Sequence, residues 1–336
     1  MMLAIETSCD ETAVAILRGS ELLASEVASQ VTAHQPYGGV VPEVASRQHL
    51  QHIPQLLVRA VESAGLSLGE IDAFAATSGP GLASSLMIGV SLAKGLALGF
   101  GKPFLAINHL EGHLLSPFFG TENTIKPNLS LIVSGGHTLL VEVDGLGDYR
   151  IIGRTLDDAA GEAFDKVAKM LGLAYPGGPE IEGCARGGDP TRFDLPRGMH
   201  NSGDFNFSFS GLKTAVRYLL PKLSTEPDDF AKAKRDLCAS FQRAVVDVLV
   251  AKTIAAARHC GDRLITISGG VSCNRELREQ MSEASQRAGL ELRFAVPRLC
   301  TDNAAMIAFV AQLRLARGNF TPLTTEIDPN LPLVNR

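Results

Sequence analysis

The amino-acid sequence predicts an α/β protein built from two layered domains of similar plan. Three observations carry that prediction. Apolar runs of strand length alternate with stretches of helical periodicity along the whole chain, the pattern of a layered α/β architecture. A strand–polar turn–strand unit, MLAIET at 2–7 and TAVAIL at 12–17, returns as LSLIVS at 129–134 and HTLLVEV at 137–143. Finally, a chain of 336 residues has the length of two ordinary domains, at about 150 residues each.

Taken in order, residues 2–7 and 12–17 flank the turn Ser8-Cys9-Asp10-Glu11 and form a hairpin. Residues 43–64 carry apolar positions at helical spacing (Val44, Leu50, Ile53, Leu56, Leu57, Ala60, Val61). IDAFAAT at 71–77 reads as a strand, Ser78-Gly79-Pro80-Gly81 as a turn, 82–100 as an apolar helix, and PFLAIN at 103–108 as a strand ending at HLEGH. The second hairpin turns at Gly135-Gly136 and is followed by a helix over 157–171 and a rigid loop at 175–179. Residues 186–210, rich in Gly, Pro, Asp and Asn, read as an irregular insertion, with Phe205, Phe207 and Phe209 alternating as on an edge strand. A long helix over 228–260, a strand at 263–268, a helix starting near Asn274 and a strand at 292–296 follow. Thr301-Asp302-Asn303 then caps a last helix, because Asp and Asn accept the free N–H groups of a first turn.

Composition narrows the function classes. A net charge of -5 is not the footprint of a chain that grips nucleic acid by itself. The six cysteines stand at 9, 184, 238, 260, 273 and 300 with no C-x-x-C pair, as free thiols in a reducing cytosol would. The acidic start MMLAIETSCDE has neither a basic nor an apolar leader region, so no signal peptide is expected. The one apolar stretch of membrane length, 82–100, carries Lys94 and is expected to be a buried helix.

Two constellations point to chemistry. LIVSGG and ITISGG place glycine turns directly after strands, where backbone N–H groups can approach a phosphate; the plain alternative is that glycines merely end strands. Neither a Walker A motif nor a dinucleotide glycine fingerprint is present. In HLEGH, His109 and His113 lie four apart, on one face of a helix, either as two metal ligands or as core and capping residues. A zinc protease has its glutamate beside the first histidine. Glu111 is two residues from each, about 200° around the helix, and cannot easily serve as that base. A third ligand would be a carboxylate, for which Asp302 is a candidate; Asp10 and Glu11 are either solvated turn residues or a general base.

Together and in order, IETSCDET (5–12), YGGVVPEVASRQH (37–49), SGPGL (78–82), HLEGH (109–113), LIVSGGHT (131–138), DDAAGEAFDKVAKMLGLAYPGGP (157–179), FSFSGLKT (207–214), SGGVSCNR (268–275) and CTDNAAMIA (300–308) resemble the bacterial tRNA threonylcarbamoyladenosine transferases, the Kae/Gcp/TsaD family. The resemblance runs from residue 2 to about 318, and the tail after Phe320 adds nothing to it. It implies two duplicated actin/Hsp70/sugar-kinase-like, ribonuclease-H-like domains with an interdomain nucleotide cleft. On this reading the first domain is 1–108 completed by 303–325, and the second is 109–302.

The resemblance also implies a metal, iron or else zinc, held by His109, His113 and Asp302, and an adenylate site at Ile132, Val133, Ser134, Gly135, Gly136, Asp165, Gly178 and Asn274. Archaeal and eukaryotic members carry a tyrosine before VSGG as a further metal ligand; here that position is Ile132. The implied reaction transfers a threonylcarbamoyl group from threonylcarbamoyl-AMP to tRNA, with Asp10 or Glu11 taking the proton of the attacking amine. The implied partners are tRNA, a non-catalytic TsaB-like paralogue and a small TsaE-like ATPase, in the cytoplasm and without a membrane. The rival readings are a metalloprotease, a phosphotransferase of the sugar-kinase fold and a scaffold paralogue without activity.

Overall fold

The computed structural model describes residues 1–121, 124–223 and 226–334. The chain begins with β1 (Met2–Glu6), β2 (Glu11–Arg18) and β3 (Glu21–Ser29), then a one-turn helix α1 (Val31–His34) and the long helix α2 (Pro42–Ala64). β4 (Ala73–Gly79), α3 (Ala83–Phe100), β5 (Phe104–Asn108) and α4 (His109–Leu115) follow. The strand order is β3-β2-β1-β4-β5. β1 pairs antiparallel with β2 and parallel with β4, and β4 is parallel to β5.

The plan then repeats. β6 (Asn128–Val133), β7 (Thr138–Gly145) and β8 (Asp148–Arg154) lead into α5 (Ala160–Met170), α6 (Gly177–Ala185), α7 (Ser210–Leu219) and the long α8 (Pro227–Cys260). β9 (Leu264–Ser268), α9 (Arg275–Ala288) and β10 (Glu291–Phe294) complete a sheet of order β10-β9-β6-β7-β8. Here β6–β7 and β7–β8 are antiparallel, as β1–β2 and β2–β3 are in the first sheet, and β6–β9 and β9–β10 are parallel. The two sheets therefore share one topology, the duplication that the paired hairpins announced. The last helix, α10 (Ala304–Ala316), returns to the first unit.

The compact units are residues 1–125 with 295–336, and residues 126–294. The first thus takes in α4 and residues 295–302, which the sequence reading assigned to the second domain. The reason is packing: α4 continues β5 without a linker and lies on α10. Gly112 permits that contact, because a Cβ there would stand 2.9 Å from Ile307 Cδ1 and 3.0 Å from Met306 Cγ.

Every residue of β1 is buried. Leu3 and Ile5 pack with Ile53 and Leu56 of α2 and with Val90, Ala93 and Ala97 of α3. α10 also packs on β1, and because side chains alternate along a strand, each face of β1 meets its own helices. The apolar helix α3 buries Leu86, Gly89, Val90, Ala93 and Ala97 on this sheet. β3 and β8 carry no expectation from the sequence. Both are sheet edges with exposed and half-exposed positions, so no apolar run marks them.

Of the insertion expected at 186–210, residues 186–209 form no strand or helix, Ser210 already begins α7, and ion pairs hold the segment to α8. Arg192 meets Asp236 at 2.6 Å, Arg197 meets Asp247 at 2.8 Å, and buried Lys252 donates to Asp204 O at 2.9 Å. Phe207 makes one bridge with Thr155; both Phe207 and Phe209 are core residues. Lys213 of α7 pairs with Asp158 at 2.7 Å.

Candidate metal centre and adenylate turns

β1 and β2 leave a short turn, and β5 feeds α4 directly; both elements deliver polar groups to one spot in the first unit. Asn108 caps α4, its Oδ1 accepting from Leu110 N at 2.9 Å and Glu111 N at 3.4 Å. One turn on, the His109 and His113 rings stand 4.8 Å apart, nearly perpendicular. Asp302, two residues ahead of α10, meets them: its Oδ1 lies 3.0 Å from His113 Nε2 and 3.6 Å from His109 Nε2. One ligand atom from each of the three residues lies within 4.8 Å of the others. Asn303, not Asp302, caps α10, accepting from Met306 N at 2.9 Å.

Glu6 fixes the outer side of His109. Its buried carboxylate accepts Ser8 N–H at 2.5 Å and the Thr77 hydroxyl at 2.6 Å, and lies 3.3 Å from His109 Nδ1. A carboxylate can only accept, so Nδ1 keeps its proton and Nε2 is the nitrogen that faces the cluster, its lone pair available once a second proton is displaced. Burial opposes charge on His109, yet the Asp302 and Glu6 carboxylates push its pKa up to about 9. His113 Nδ1 is buried and unpartnered. Two imidazoles and a carboxylate, with further carboxylates nearby, suit a borderline divalent cation such as Fe(II) or Zn(II).

Glu111 belongs to neither role that HLEGH suggests. It is buried and its carboxylate takes Arg314 of α10 at 2.6 Å. Glu111→Ala is expected to destabilise the fold by on the order of 1–2 kcal/mol, because Arg314, about a third exposed, can turn to water once its buried partner is gone. Thermal or denaturant unfolding measures this directly.

The turn between β1 and β2 presents the remaining candidates. Glu11 accepts from Ser29 Oγ at 2.9 Å, while its other oxygen is buried without a partner. Burial pushes its pKa up to about 7, with Asp10 and Asp302 adding to the rise. Asp10 is raised by burial and by Asp302. His49 of α2 steadies the turn: Nε2 donates to the Cys9 carbonyl at 2.9 Å, so Nδ1 accepts from Thr12 Oγ1 at 2.8 Å. Nothing in the sequence singled out Glu6 or His49. Their chemistry appears only where strands and helices far apart in sequence meet.

The second unit gathers the adenylate candidates. Ile132 and Val133 end β6; Ser134, Gly135 and Gly136 form the turn, whose two glycines are exposed. Gly161 N of α5 donates to Ser134 O at 3.1 Å. Further along α5, Asp165 accepts Gly177 N–H at 2.7 Å and so pins the first turn of α6, which contains Gly178. Asn274 caps α9, accepting from Leu277 N at 3.0 Å, and donates to Gln242 at 2.8 Å and to Glu182 of α6 at 3.3 Å. The candidates thus lie on one chain of contacts from β6 through α5 and α6 to α9.

Solved structures of low sequence identity share this layout. HypF of T. kodakarensis superposes at a TM-score of 0.64 with 15% identity, covering 94% of this chain and 48% of that one. Component A of the (R)-2-hydroxyglutaryl-CoA dehydratase of Acidaminococcus fermentans superposes at 0.54 with 14% identity, covering 94% and 97%. At such identities the likeness shows the fold alone. Fold and cluster together define a protein of the actin-type fold that carries two histidines and an aspartate at one point.

The sequence relatives narrow the class. Residues 21–309 match the sequence model of tRNA N6-adenosine threonylcarbamoyltransferase. The proteins of that name from Kosmotoga olearia and Verminephrobacter eiseniae are 49% and 50% identical over 334 and 323 residues, covering 99% and 95% of this chain and 99% and 93% of theirs. The chain belongs to the tRNA N6-adenosine threonylcarbamoyltransferase family, and it is an enzyme, a transferase.

Proposed function

We propose that this chain transfers the threonylcarbamoyl group from threonylcarbamoyl-AMP to the exocyclic amine of the adenosine 3′ of the anticodon, in tRNAs reading codons that begin with A. The observation that carries the site assignment is the His109, His113 and Asp302 cluster, together with the half-buried Glu11, one carboxylate oxygen of which has no partner and whose pKa Asp302 helps to raise. A divalent cation held there, iron or zinc, supplies a Lewis acid for the developing negative charge. Glu6 keeps His109 in the tautomer that leaves Nε2 available. The exposed N–H groups of Gly135 and Gly136, with the first turn of α6, hold the adenylate phosphate. The amine nitrogen bonds to the carbamoyl carbon, its proton passes to Glu11 or Asp10, and AMP leaves with the electron pair of the broken carbon–oxygen bond.

Free thiols at all six cysteines support a cytoplasmic enzyme. The net charge of -5 supports a division of labour in which tRNA binding needs the TsaB-like paralogue, with the TsaE-like ATPase as third component. Reconstitution with those partners, threonine, bicarbonate, ATP and tRNA, read by nucleoside mass spectrometry, tests the assignment. Threonylcarbamoyladenosine should appear with the wild-type chain; its absence from a complete reaction would reject the reading.

Gly161→Ala checks the adenylate turn. A Cβ there would stand 2.6 Å from Ser134 O and 2.8 Å from Gly135 Cα, displacing the turn. A shift of that kind is expected to lower kcat/KM on the order of a hundredfold, and equilibrium binding of AMP should weaken with it.

A further inference from the structure

The C-terminal tail, which carries none of the family motifs, lies behind the metal centre. Thr321 N donates to Phe104 O at 2.8 Å, its Oγ1 accepts from Ala106 N at 3.0 Å, and Lys94 Nζ donates to Thr325 O. The tail then crosses the SGPG turn, where Asp328 N donates to Ser78 O at 2.9 Å and Pro329 O accepts Gly81 N–H at 3.1 Å. The approach is so close that a Cβ on Gly79 would stand 1.9 Å from Asp328 O. Beyond it, the Asn108 carboxamide donates to Pro332 O at 3.0 Å and to Leu331 O at 3.5 Å.

Two short paths lead from these contacts to His109. Asn108 is the cap of α4 and the residue before His109; with its N–H groups on the tail, its oxygen is turned to Leu110 N and Glu111 N. The SGPG turn in its turn holds the first hairpin, since Leu82 N donates to Ser8 O at 2.8 Å, and Ser8 Oγ lies 3.1 Å from His109 Nδ1. We propose that residues 328–332 are a positioning strap: their backbone orients Asn108 and the SGPG turn, and through both they set the His109 ring in the metal centre.

The proposal rests on the metal reading above, and its test separates the two. Co(II) is the probe, with affinity from chelator competition and coordination from its d–d absorption. Wild-type chain and His113→Ala come first: a Co(II) band that depends on His113 establishes the centre, and its absence removes metal centre and strap together. Two variants then address the strap. One ends at Leu323. The other, Asn108→Ser in the full chain, keeps a capping oxygen for α4 but cannot reach Leu331 or Pro332.

Both variants are expected to bind Co(II) about tenfold more weakly, the usual effect of losing a group that orients a ligand, with a shifted d–d band. A wild-type affinity and band in Asn108→Ser overturns the proposal, whatever the change in melting temperature, and decides the matter should the shortened chain fail to fold. Wild-type binding in the folded shortened chain overturns it equally.

Discussion

Replacing His109 and His113 together by alanine is expected to abolish cation binding and slow threonylcarbamoyl transfer on the order of a thousandfold, the scale of the several kcal/mol that a Lewis-acid cation contributes. The argument is geometric. Of the three ligand atoms within 4.8 Å of one another, the substitution leaves only the carboxylate of Asp302, and one carboxylate does not retain a transition metal. The same geometry predicts a pH dependence. The His109 pKa in the metal-free chain is pushed up to about 9 by Asp302 and Glu6, against burial. Below that pH a cation must displace a proton, so affinity should rise with pH, by up to about tenfold per unit, and level off near 9. Chelator competition from pH 6 to 10 measures the slope; transfer in the reconstituted reaction measures the activity. Full activity in the double variant would end the assignment.

Glu11→Gln is expected to have opposite effects on rate and stability. As the proposed base, Glu11 should be worth roughly a hundred- to ten-thousandfold in single-turnover rate, and the rise in rate with pH should vanish with it. The stability sign follows from linkage. Burial raises the folded pKa from 4.5 to about 7, so the stabilising contribution is fully present below the unfolded value and lost as pH rises through the folded one. At pH 8 the metal-free wild-type chain therefore keeps a buried charge that costs about 3 kcal/mol. The neutral glutamine relieves it: the variant should melt higher than wild type at pH 8 and nearly alike at pH 4. Asp10→Asn is the companion. Should Glu11→Gln and Asp10→Asn both keep full single-turnover rates, neither carboxylate is the base.

Part of the candidate cluster was legible in the sequence, for reasons particular to each residue. His109 and His113 are four apart, and helical pitch alone puts them on one face. Glu111 was excluded as a protease base by the same pitch, and the structure gives it a partner, Arg314 of α10. Glu6 and His49 stayed invisible because a buried acid in a strand and a histidine in an amphipathic helix have no local signature. Their meaning comes from His109 and from the Cys9 carbonyl, which sequence distance conceals. β3 and β8 escaped because edge strands lack the continuous apolar run that marks β1 and β6.

The α/β class, the duplicated hairpins and a pair of histidines on one helix face could be read from the sequence, because periodicity, turn chemistry and motif spacing are short-range properties of a chain. Only the tertiary structure decided that α4 and Asp302 share one compact unit, that Glu6 sets the His109 tautomer, and that the tail lies across the SGPG turn. Those relations join residues separated by much of the chain. They come from burial and from the need of each buried polar group for a partner, which no local window of sequence can express.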